Sequence, residues 1–296
     1  MENKIKLSVV LSTLNEEAHI GDCLKSVSSI SDEMIVFDES STDKTKEIAE
    51  SFGAKVYSVV HEPHFHITKQ KAIDKASGDW ILQIDADEVV TAALGEEIKK
   101  IVSMTQKELR KRKINFKKAK LFQKHQDLLV RRDGIIGKPG KEIVAFFIPR
   151  RNFFLGKALI YAGVYPDGVI RLFKRGKATL PSDSVHAQMV IDGEIGWLEN
   201  DLEHHDSPTF AKYLKRMNRY TSLHAEDLAK NKVKKNFFEF INYTFIKPNL
   251  VFLNLFLRHK GIFDGFRGFI WSLFSALHYP LSYYKYLTDK QKEKDN

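Results

Sequence analysis

The sequence has one cysteine, Cys23, among 296 residues. A single thiol excludes an internal disulfide and indicates a reducing compartment. Because Cys23 stands within an apolar pattern, we interpret it as a core residue and not as a nucleophile. The amino-terminal MENKIKLSVVLS also lacks the basic, apolar and small-residue regions of a signal peptide, so we expect it to lead into a strand.

Glycine-rich phosphate loops and long apolar runs are missing as well. Neither GxGxxG nor GxxxxGK[ST] occurs, which excludes the usual dinucleotide and P-loop sites. The aromatic C-terminal region is interrupted by charge at Glu239, Lys247, Arg258 and Arg267. No uncharged apolar stretch reaches the length of a membrane span, so we expect no spanning helix.

Acidic residues are scarce between Lys99 and Arg151, where 17 Lys/Arg stand against 4 Asp/Glu. The net charge of the whole chain is +9, so the remainder is slightly acidic. A basic block suggests nucleic acid, yet ELRKRKINFKKAKLFQKHQ matches no known recognition motif. We therefore interpret residues 99–151 as a solvated insertion or one that faces anionic lipid, and nucleic acid is not favoured as a partner.

The first 90 residues alternate apolar strand-like runs with helical patterns. Strands are predicted at 7–12, 34–38, 54–60 and 80–85. Asn15 is predicted to cap the first helix, since Glu16 and Glu17 would then lie in its first turn. This alternation predicts an α/β fold with a doubly wound, mainly parallel sheet.

Polar side chains follow three of these strands. The first strand runs into Thr13, Asn15 and Glu16, the second into Asp38, and the fourth into Asp85-Ala86-Asp87-Glu88. Ligands of open α/β sheets bind at the carboxyl ends of strands. Carboxylates there suit Mg²⁺ or Mn²⁺, which in turn holds phosphates. The alternative is that Asp87 or Glu88 caps a helix over 91–102.

Taken together, SVVLSTLNEEAHIGDCLKSV, IVFDESSTDKT and ASGDWILQIDADE resemble family 2 nucleotide-sugar glycosyltransferases of the GT-A fold. The resemblance continues through PRRNFFLGK, YPDGVIRLFKR and HHDSPTFAKYLKRMNRYTSLHA. In detail the sequence is similar to bacterial lipopolysaccharide core β-1,4-glucosyltransferases. A glycosyltransferase of this kind transfers a sugar from a nucleoside diphosphate to an acceptor hydroxyl.

The resemblance implies roles for the residues at the strand ends. The nucleoside would be held by Thr13, Asn15, Glu16 and Asp38. Asp85 would lie by the ribose or sugar, and Asp87 would ligate the metal. For Arg171 two interpretations stay open, a clamp on the phosphates and a partner for a nearby acid.

The general base is not where the resemblance would put it. Related sequences commonly read V-H-E after R-L-F, but this chain has Ala187 after Val185-His186. Three other carboxylates are candidates for the base: Asp183, Asp192 and Glu194. His186 is a candidate metal ligand, and His204 and His205 match a histidine that the family tends to keep, without an assigned role.

We expect two domains, a GT-A transferase domain at 1–205 with the basic insertion at about 99–151, and a helical amphipathic region at 206–296. That region is interpreted as membrane-associating, with a core or dimer-interface role as the alternative. The expected enzyme is a metal-dependent, inverting hexosyltransferase, cytoplasmic and peripheral at the inner face of the membrane. It would use a UDP-sugar and a glycan or lipid-linked acceptor of lipopolysaccharide biosynthesis.

Three alternatives remain for the function. The first is a polyprenyl-phosphate sugar transferase. The second is a catalytically weakened nucleotide-sugar-binding protein, because Ala187 replaces the expected base. The third is a nucleic-acid-binding protein that acts through 99–151, with steep salt dependence and indifference to Asp87.

Overall fold

The computed structural model describes residues 7–62, 64–134, 136–181 and 188–288. The chain divides into two compact units. The first comprises Met1–Arg151 with Pro166–His204, and the second comprises Asn152–Tyr165 with His205–Asn296. This grouping places residues 152–165 and His205 in the second unit, and the division into domains at residue 205 stays a prediction.

The first unit alternates strands and helices. Its elements begin with β1 (Leu7–Thr13), α1 (Ile20–Val27), β2 (Glu33–Asp38), α2 (Thr45–Ser51), β3 (Lys55–Ser58), α3 (Phe65–Lys75), β4 (Trp80–Gln83), β5 (Glu88–Val90), α4 (Ala92–Ser103), α5 (Gln106–Lys111) and α6 (Phe116–Asp133). The later strands of the chain are β6 (Ile143–Phe154), β7 (Lys157–Ala158), β8 (Asp167–Lys174), β9 (Ala178–Thr179), β10 (Val190–Ile191), β11 (Glu194–Trp197) and β12 (Leu202–Ser207).

The main sheet has a parallel part and an antiparallel part. β3, β2, β1 and β4 lie side by side in that order and are parallel. β8 joins β4 antiparallel, β6 joins β8 antiparallel, and β5 pairs antiparallel with β12. The predicted α/β fold is confirmed, and its sheet continues beyond β4 with antiparallel strands.

Helices cover both faces of the parallel strands. Alternate residues of a strand point to opposite faces, so Val9 and Val10 of β1 lie in two separate apolar clusters. Val9 packs in the cluster that contains Leu24 of α1. Val10 packs in the cluster that contains Ile73 of α3 and Phe122 of α6. The predicted doubly wound arrangement is therefore confirmed, and the strand ends are where polar side chains can reach a ligand.

One local prediction was wrong, and one alternative is excluded. α1 begins at Ile20, and Asn15 does not cap it, because Asn15 adopts a left-handed backbone with φ 57°. The cap of α4 is Thr91, whose side chain accepts from the Leu94 N–H. The alternative role of Asp87 or Glu88 as that cap is thereby excluded.

The basic segment 99–151 is not a single insertion. It contains α5 and α6 but also the first part of β6, which lies between β8 and β12 in the sheet. β6 is paired with β8, and its residues 143–148 are buried, as expected inside a sheet. The lysines and arginines are concentrated on the helices that precede it.

The second unit is mainly helical. Its helices are α7 (Phe210–Lys230), a helix over Phe237–Arg258 that mixes α and π turns, and a C-terminal helix, Gly265–Thr288. α7 lies within the region 206–296 that was predicted to be helical. Among the described residues, the helix Phe237–Arg258 is the one that is long and apolar enough to cross a membrane. Of its apolar stretch, 11% is buried. We had expected no helix of sufficient length and apolar character, because charged residues interrupt the sequence of this region.

Candidate active site

The carboxyl ends of β1 and β2 meet at one buried carboxylate. Thr13 and Asp38 are register partners, and Thr13 Oγ1 donates to Asp38 Oδ1 at 3.2 Å. Ser41 donates to the same carboxylate through its hydroxyl at 2.5 Å and its N–H at 2.9 Å. Asn15 Oδ1 accepts from the Thr42 N–H at 2.8 Å. Three residues predicted to contact the nucleoside, Thr13, Asn15 and Asp38, are thus brought together.

The Asp38 side chain is completely buried. Its carboxylate therefore organises the loop over 39–43, and in this arrangement the loop itself forms the surface at the strand ends. Glu16 begins the turn that follows β1, and its N–H donates to Thr45 Oγ1 at 2.8 Å. The two loops after β1 and β2 are held together by side-chain hydrogen bonds to backbone groups, which fixes their shape before any ligand binds.

Residues 85–88 form a tight turn between β4 and β5. The Glu88 N–H donates to the Asp85 carbonyl at 2.9 Å, and the Asp85 N–H donates to Glu88 Oε2 at 2.9 Å. The Glu88 side chain is 0% exposed, whereas that of Asp87 is 22% exposed. Glu88 is therefore the internal anchor of the turn, and Asp87 is accessible at its tip.

Arg171 on β8 ties this turn to the sheet. Its Nη1 donates to Gln83 Oε1 at 2.5 Å, and its Nη2 donates to Asp85 Oδ2 at 2.6 Å and Glu88 Oε1 at 2.7 Å. Lys69 of α3 places its Nζ 2.5 Å from the other oxygen of Asp85. Arg171 thus pairs with nearby acids in this structure, and its role as a phosphate clamp stays a prediction.

A second arginine, Arg150 on β6, also contacts Glu88. Its Nη1 donates to Glu88 Oε1 at 3.2 Å, and its Nε and Nη2 donate to Asp167 Oδ2 at 2.9 and 2.6 Å. Both arginines share one buried carboxylate, so each compensates charge that would otherwise be costly to bury. The sequence offered no signal for this contact, because it depends on the pairing of β6 with β8.

These cations determine the protonation of Asp85. Burial alone would raise the pKa of Asp85, but Arg171 and Lys69 beside it hold this pKa well below its usual value. Burial alone would lower the pKa of Arg171, but Asp85 and Glu88 beside it raise this pKa. Asp85 is therefore ionised at neutral pH and is a poor proton acceptor, since a general base works best with a pKa near the working pH.

A cavity of about 300 Å³ opens beside the Arg171 network. Its basic and imidazole side chains come from α3, α6, β6 and β8: His66, Lys69, His125, Arg132, Arg150 and Arg171. Burial lowers the pKa of His66 and of His125, so both are neutral at pH 7. Three of these side chains belong to the basic segment, namely His125, Arg132 and Arg150.

His204 lies beside the accessible acid of the turn. β12 pairs with β5 so that His204 is opposite Glu88, and His204 Nε2 lies 3.6 Å from Asp87 Oδ2. Both side chains are partly exposed, at 12% and 22%. The sequence marked His204 without a role, and only the strand register brings it to Asp87.

Asp87 and His204 could provide two ligands of a divalent cation. Carboxylate oxygen and imidazole nitrogen are both ligands of Mn²⁺. Over the described ranges, no group of three or more His, Cys, Asp and Glu residues could hold a metal. Water and substrate phosphates could supply further ligands to such a cation, as they commonly do for Mg²⁺ in proteins.

Two of the predicted bases lie elsewhere in the first unit. Asp192 is 49% exposed and pairs with Lys138 at 2.7 Å and Lys177 at 3.1 Å. Glu194 accepts from the Gly140 N–H at 3.2 Å and lies 3.5 Å from Arg110.

Asp192 and Glu194 lie far from the turn at residues 85–88, as the distance along β6 shows. Glu194 is the register partner of Ile143, at the start of β6. Arg150, which contacts Glu88, is seven residues further along, or about 23 Å at the usual rise of a strand. We therefore do not retain Asp192 or Glu194 as the base. The other two predicted site residues of this region, Asp183 and His186, lie outside the described residues.

Comparison with known proteins gives a consistent result. Residues 8–152 match the sequence model described as Glycosyl transferase family 2. The lipopolysaccharide core biosynthesis glycosyltransferase LpsC of Rhizobium meliloti is 25% identical over 281 residues, which cover 93% of this chain and 89% of LpsC. The uncharacterized glycosyltransferase RT0209 of Rickettsia typhi is 28% identical over 285 residues, 92% of this chain and 83% of that protein.

Among solved structures, the mannosyltransferase PcManGT from Pyrobaculum calidifontis, in complex with GDP-Man and Mn²⁺, aligns with a TM-score of 0.49 and 12% identity. That alignment covers 97% of this chain and 88% of PcManGT. Residues 8–152 therefore match glycosyl transferase family 2, and together with these sequence relatives the match identifies the chain as a glycosyltransferase.

Proposed function

We propose that this glycosyltransferase is a metal-dependent, inverting hexosyltransferase that uses a nucleotide-sugar donor, with a UDP-sugar as the first choice. Its acceptor is a glycan or a lipid-linked glycan of cell-envelope polysaccharide or lipopolysaccharide biosynthesis. The observation that carries the proposal is the pair Asp87 and His204, 3.6 Å apart at the tip of the turn that ends β4. The similarity to LpsC supports the pathway.

The donor nucleoside binds at the loops that follow β1 and β2. These loops are pre-formed by the hydrogen bonds of Asp38 with Thr13 and Ser41 and of Asn15 with Thr42. Glu16 lies at the start of the same turn. A rigid site loses less conformational entropy when a ligand binds, so this arrangement supports tight binding of the nucleoside.

Asp87 and His204 would hold a Mg²⁺ or Mn²⁺ ion together with the donor diphosphate. When bound, the cation supplies neutralisation of the negative charge that develops on the leaving nucleoside diphosphate. Asp85 stays anionic through Arg171 and Lys69. Its carboxylate can therefore accept hydrogen bonds from sugar or ribose hydroxyl groups without becoming protonated.

The acceptor enters the cavity of about 300 Å³ beside Arg171. The base that takes the proton of its hydroxyl has two candidates. One is Asp183. The other is His66, which lines the cavity, has a lowered pKa, and places Nδ1 2.8 Å from the Pro181 carbonyl oxygen. If Nδ1 donates to that carbonyl, Nε2 is left as the proton acceptor.

Two other functions use the same site. A polyprenyl-phosphate sugar transferase would differ only in its acceptor, a lipid phosphate in place of a sugar hydroxyl. A catalytically weakened binding protein would bind the donor without turnover, which the substitution of the expected base by Ala187 supports. A lipid-linked acceptor would place the enzyme at the inner, cytoplasmic face of the membrane as a peripheral protein.

A thermal-shift screen of nucleotide sugars, with and without Mn²⁺, tests the proposal. We expect one UDP-sugar to raise the melting temperature of the wild type only when Mn²⁺ is present, since ligands that bind the folded state stabilise it. Asp87→Asn should abolish this metal-dependent shift. Asp79→Asn is the matched control, because Asp79 is exposed and precedes the opposite end of β4.

The outcomes separate the alternatives. If no nucleotide sugar stabilises the wild type in a metal-dependent way, the proposed donor chemistry is wrong. If the donor binds but no sugar is released or transferred, the chain is a binding protein. If transfer occurs, turnover of Asp183→Asn and His66→Gln identifies the base, since only loss of the base lowers kcat while donor binding is kept.

A further inference from the structure

The helix Phe237–Arg258 exposes a row of aliphatic side chains along one side. Ile246, Leu250, Leu253 and Leu257 recur at spacings of four, three and four residues, which places them on one helical face. Their exposed fractions are 47%, 62%, 48% and 56%. Soluble proteins seldom leave so many neighbouring large apolar side chains in water.

A second exposed apolar group lies next to this row within the same unit. It comprises the turn and helix start that follow: Ile262 (51%), Phe263 (69%), Phe266 (69%) and Phe269 (40%). The ring of Phe269 packs edge-on against Phe252 and Phe256, at 5.9 and 5.8 Å between centroids. Phe252 and Phe256 directly precede Leu253 and Leu257 of the row, so Phe269 lies beside it, and we treat the two groups together as the apolar ridge.

Basic residues flank the ridge and acids are scarce around it. Between Lys230 and Arg267 there are eight Lys/Arg and two Asp/Glu. Both acids make internal contacts. Glu239 accepts from the Asn242 side chain at 3.0 Å, and Asp264 accepts from backbone N–H groups at 3.2 and 2.9 Å. The surroundings of the ridge thus carry an excess of positive charge, which complements an anionic surface.

The other side of the helix is packed against protein. Tyr243 stacks on Tyr283 of the helix Gly265–Thr288 at 4.8 Å, and Tyr284 donates to Thr244 at 3.2 Å. Lys247, halfway along the helix, holds its Nζ 3.5 Å from the centre of the Tyr243 ring. A helix that spanned a bilayer alone would lose these contacts and would carry Lys247 to the middle of the lipid, which is costly.

We propose that the apolar ridge is an interfacial docking surface for an anionic lipid bilayer. The helix Phe237–Arg258 lies parallel to the membrane, with the ridge among the acyl chains and the flanking lysines and arginines at the headgroups. This inference goes beyond glycosyl transfer and does not depend on the identity of the donor or acceptor.

Flotation of the full chain with vesicles tests it. The vesicles are phosphatidylcholine alone, or phosphatidylcholine with roughly a third of phosphatidylglycerol. We expect the wild type to float with the anionic vesicles and to be released by high salt or alkaline carbonate. The double variant Leu250→Glu with Leu257→Glu should lose binding by about tenfold or more, because it places charge in the acyl region.

The matched control is Val60→Glu with Phe116→Glu, at two positions that are 82% exposed in the first unit. It should bind vesicles like the wild type. Lys234→Gln with Arg258→Gln should weaken binding to anionic vesicles by about tenfold and leave weak binding to phosphatidylcholine unchanged. All variants should keep the thermal shift caused by the nucleotide sugar, which separates a failure of docking from a failure of the donor site.

Several results would overturn the inference. Retention in the membrane after carbonate treatment would show a spanning helix. A wild-type dimer in solution that Leu250→Glu dissociates, without any vesicle binding, would show that a second copy covers the ridge. Equal binding to neutral and anionic vesicles would remove the role of the basic residues.

Discussion

Glu88, which is completely buried, accepts a 2.7 Å hydrogen bond from Nη2 of Arg171. The other oxygen of Glu88 accepts from the Asp85 N–H at 2.9 Å. One side chain therefore joins β8 to the turn that ends β4. The acids of this turn have different tasks, since Glu88 and Asp85 are paired with cations inside the protein and Asp87 is left accessible beside His204.

Replacing Glu88 should destabilise the fold strongly. Glu88→Gln leaves the buried guanidinium groups of Arg150 and Arg171 with less compensating charge, and we expect a loss of about 3–5 kcal/mol in the free energy of unfolding. Glu96→Gln is the control, because Glu96 is 65% exposed and pairs with Lys99 on the surface. That change should cost less than about 1 kcal/mol. Urea denaturation measures both, and similar losses would contradict the anchoring role of Glu88.

Arg171→Lys separates the two interpretations of this residue. A lysine cannot reach Gln83, Asp85 and Glu88 at once, because its single ammonium group lacks the fork of the guanidinium. We expect the free energy of unfolding to fall by about 2–3 kcal/mol. If Arg171 were a phosphate clamp instead, donor affinity would fall while the stability of the free protein stayed the same.

The lowered pKa of Glu33 predicts that the stability of the fold depends on pH. Burial opposes ionisation, but hydrogen bonds from Ser8 and Ser77 lower the pKa of Glu33 to about 2. Because the pKa is lower in the folded than in the unfolded chain, the stabilisation is complete above about pH 5 and is lost as the pH falls towards 2.

The measurement is urea denaturation of the wild type and Glu33→Gln at pH 7 and at pH 3. We expect Glu33→Gln to be less stable by about 1–2 kcal/mol at pH 7, and the difference to shrink at pH 3. Glu50→Gln, at an exposed position, should behave like the wild type at both values. A difference between wild type and Glu33→Gln that does not change with pH would contradict the pKa assigned to this carboxyl group.

The parallel half of the fold could be predicted because its information is local. The predicted strands at 7–12 and 34–38 differ from Leu7–Thr13 and Glu33–Asp38 by one residue at an end. Continuous apolar runs mark strands that are buried on both faces. Asn15 was misread because its side chain accepts a hydrogen bond from Thr42, in the loop after another strand.

The candidate site could be predicted only in part for the same reason. Asp85 and Asp87 follow an apolar run, so their place at the end of a strand could be predicted from the sequence. Arg150 and His204 reach the same turn through antiparallel pairing of distant strands. Register between such strands is set by packing across the whole sheet, and no local pattern records it.

The proposed function depends most directly on Asp87 and His204 as protein ligands of one cation. Electron paramagnetic resonance of Mn²⁺, titrated in the presence of UDP, measures this without an acceptor or turnover. The control is His205→Phe, because His205 is the next residue on β12 and its ring stacks on Phe153 at 4.3 Å, which phenylalanine can preserve. We predict that Asp87→Asn and His204→Ala each weaken Mn²⁺ binding by about tenfold or more, while His205→Phe binds like the wild type. Unchanged Mn²⁺ affinity in both Asp87→Asn and His204→Ala would contradict the account.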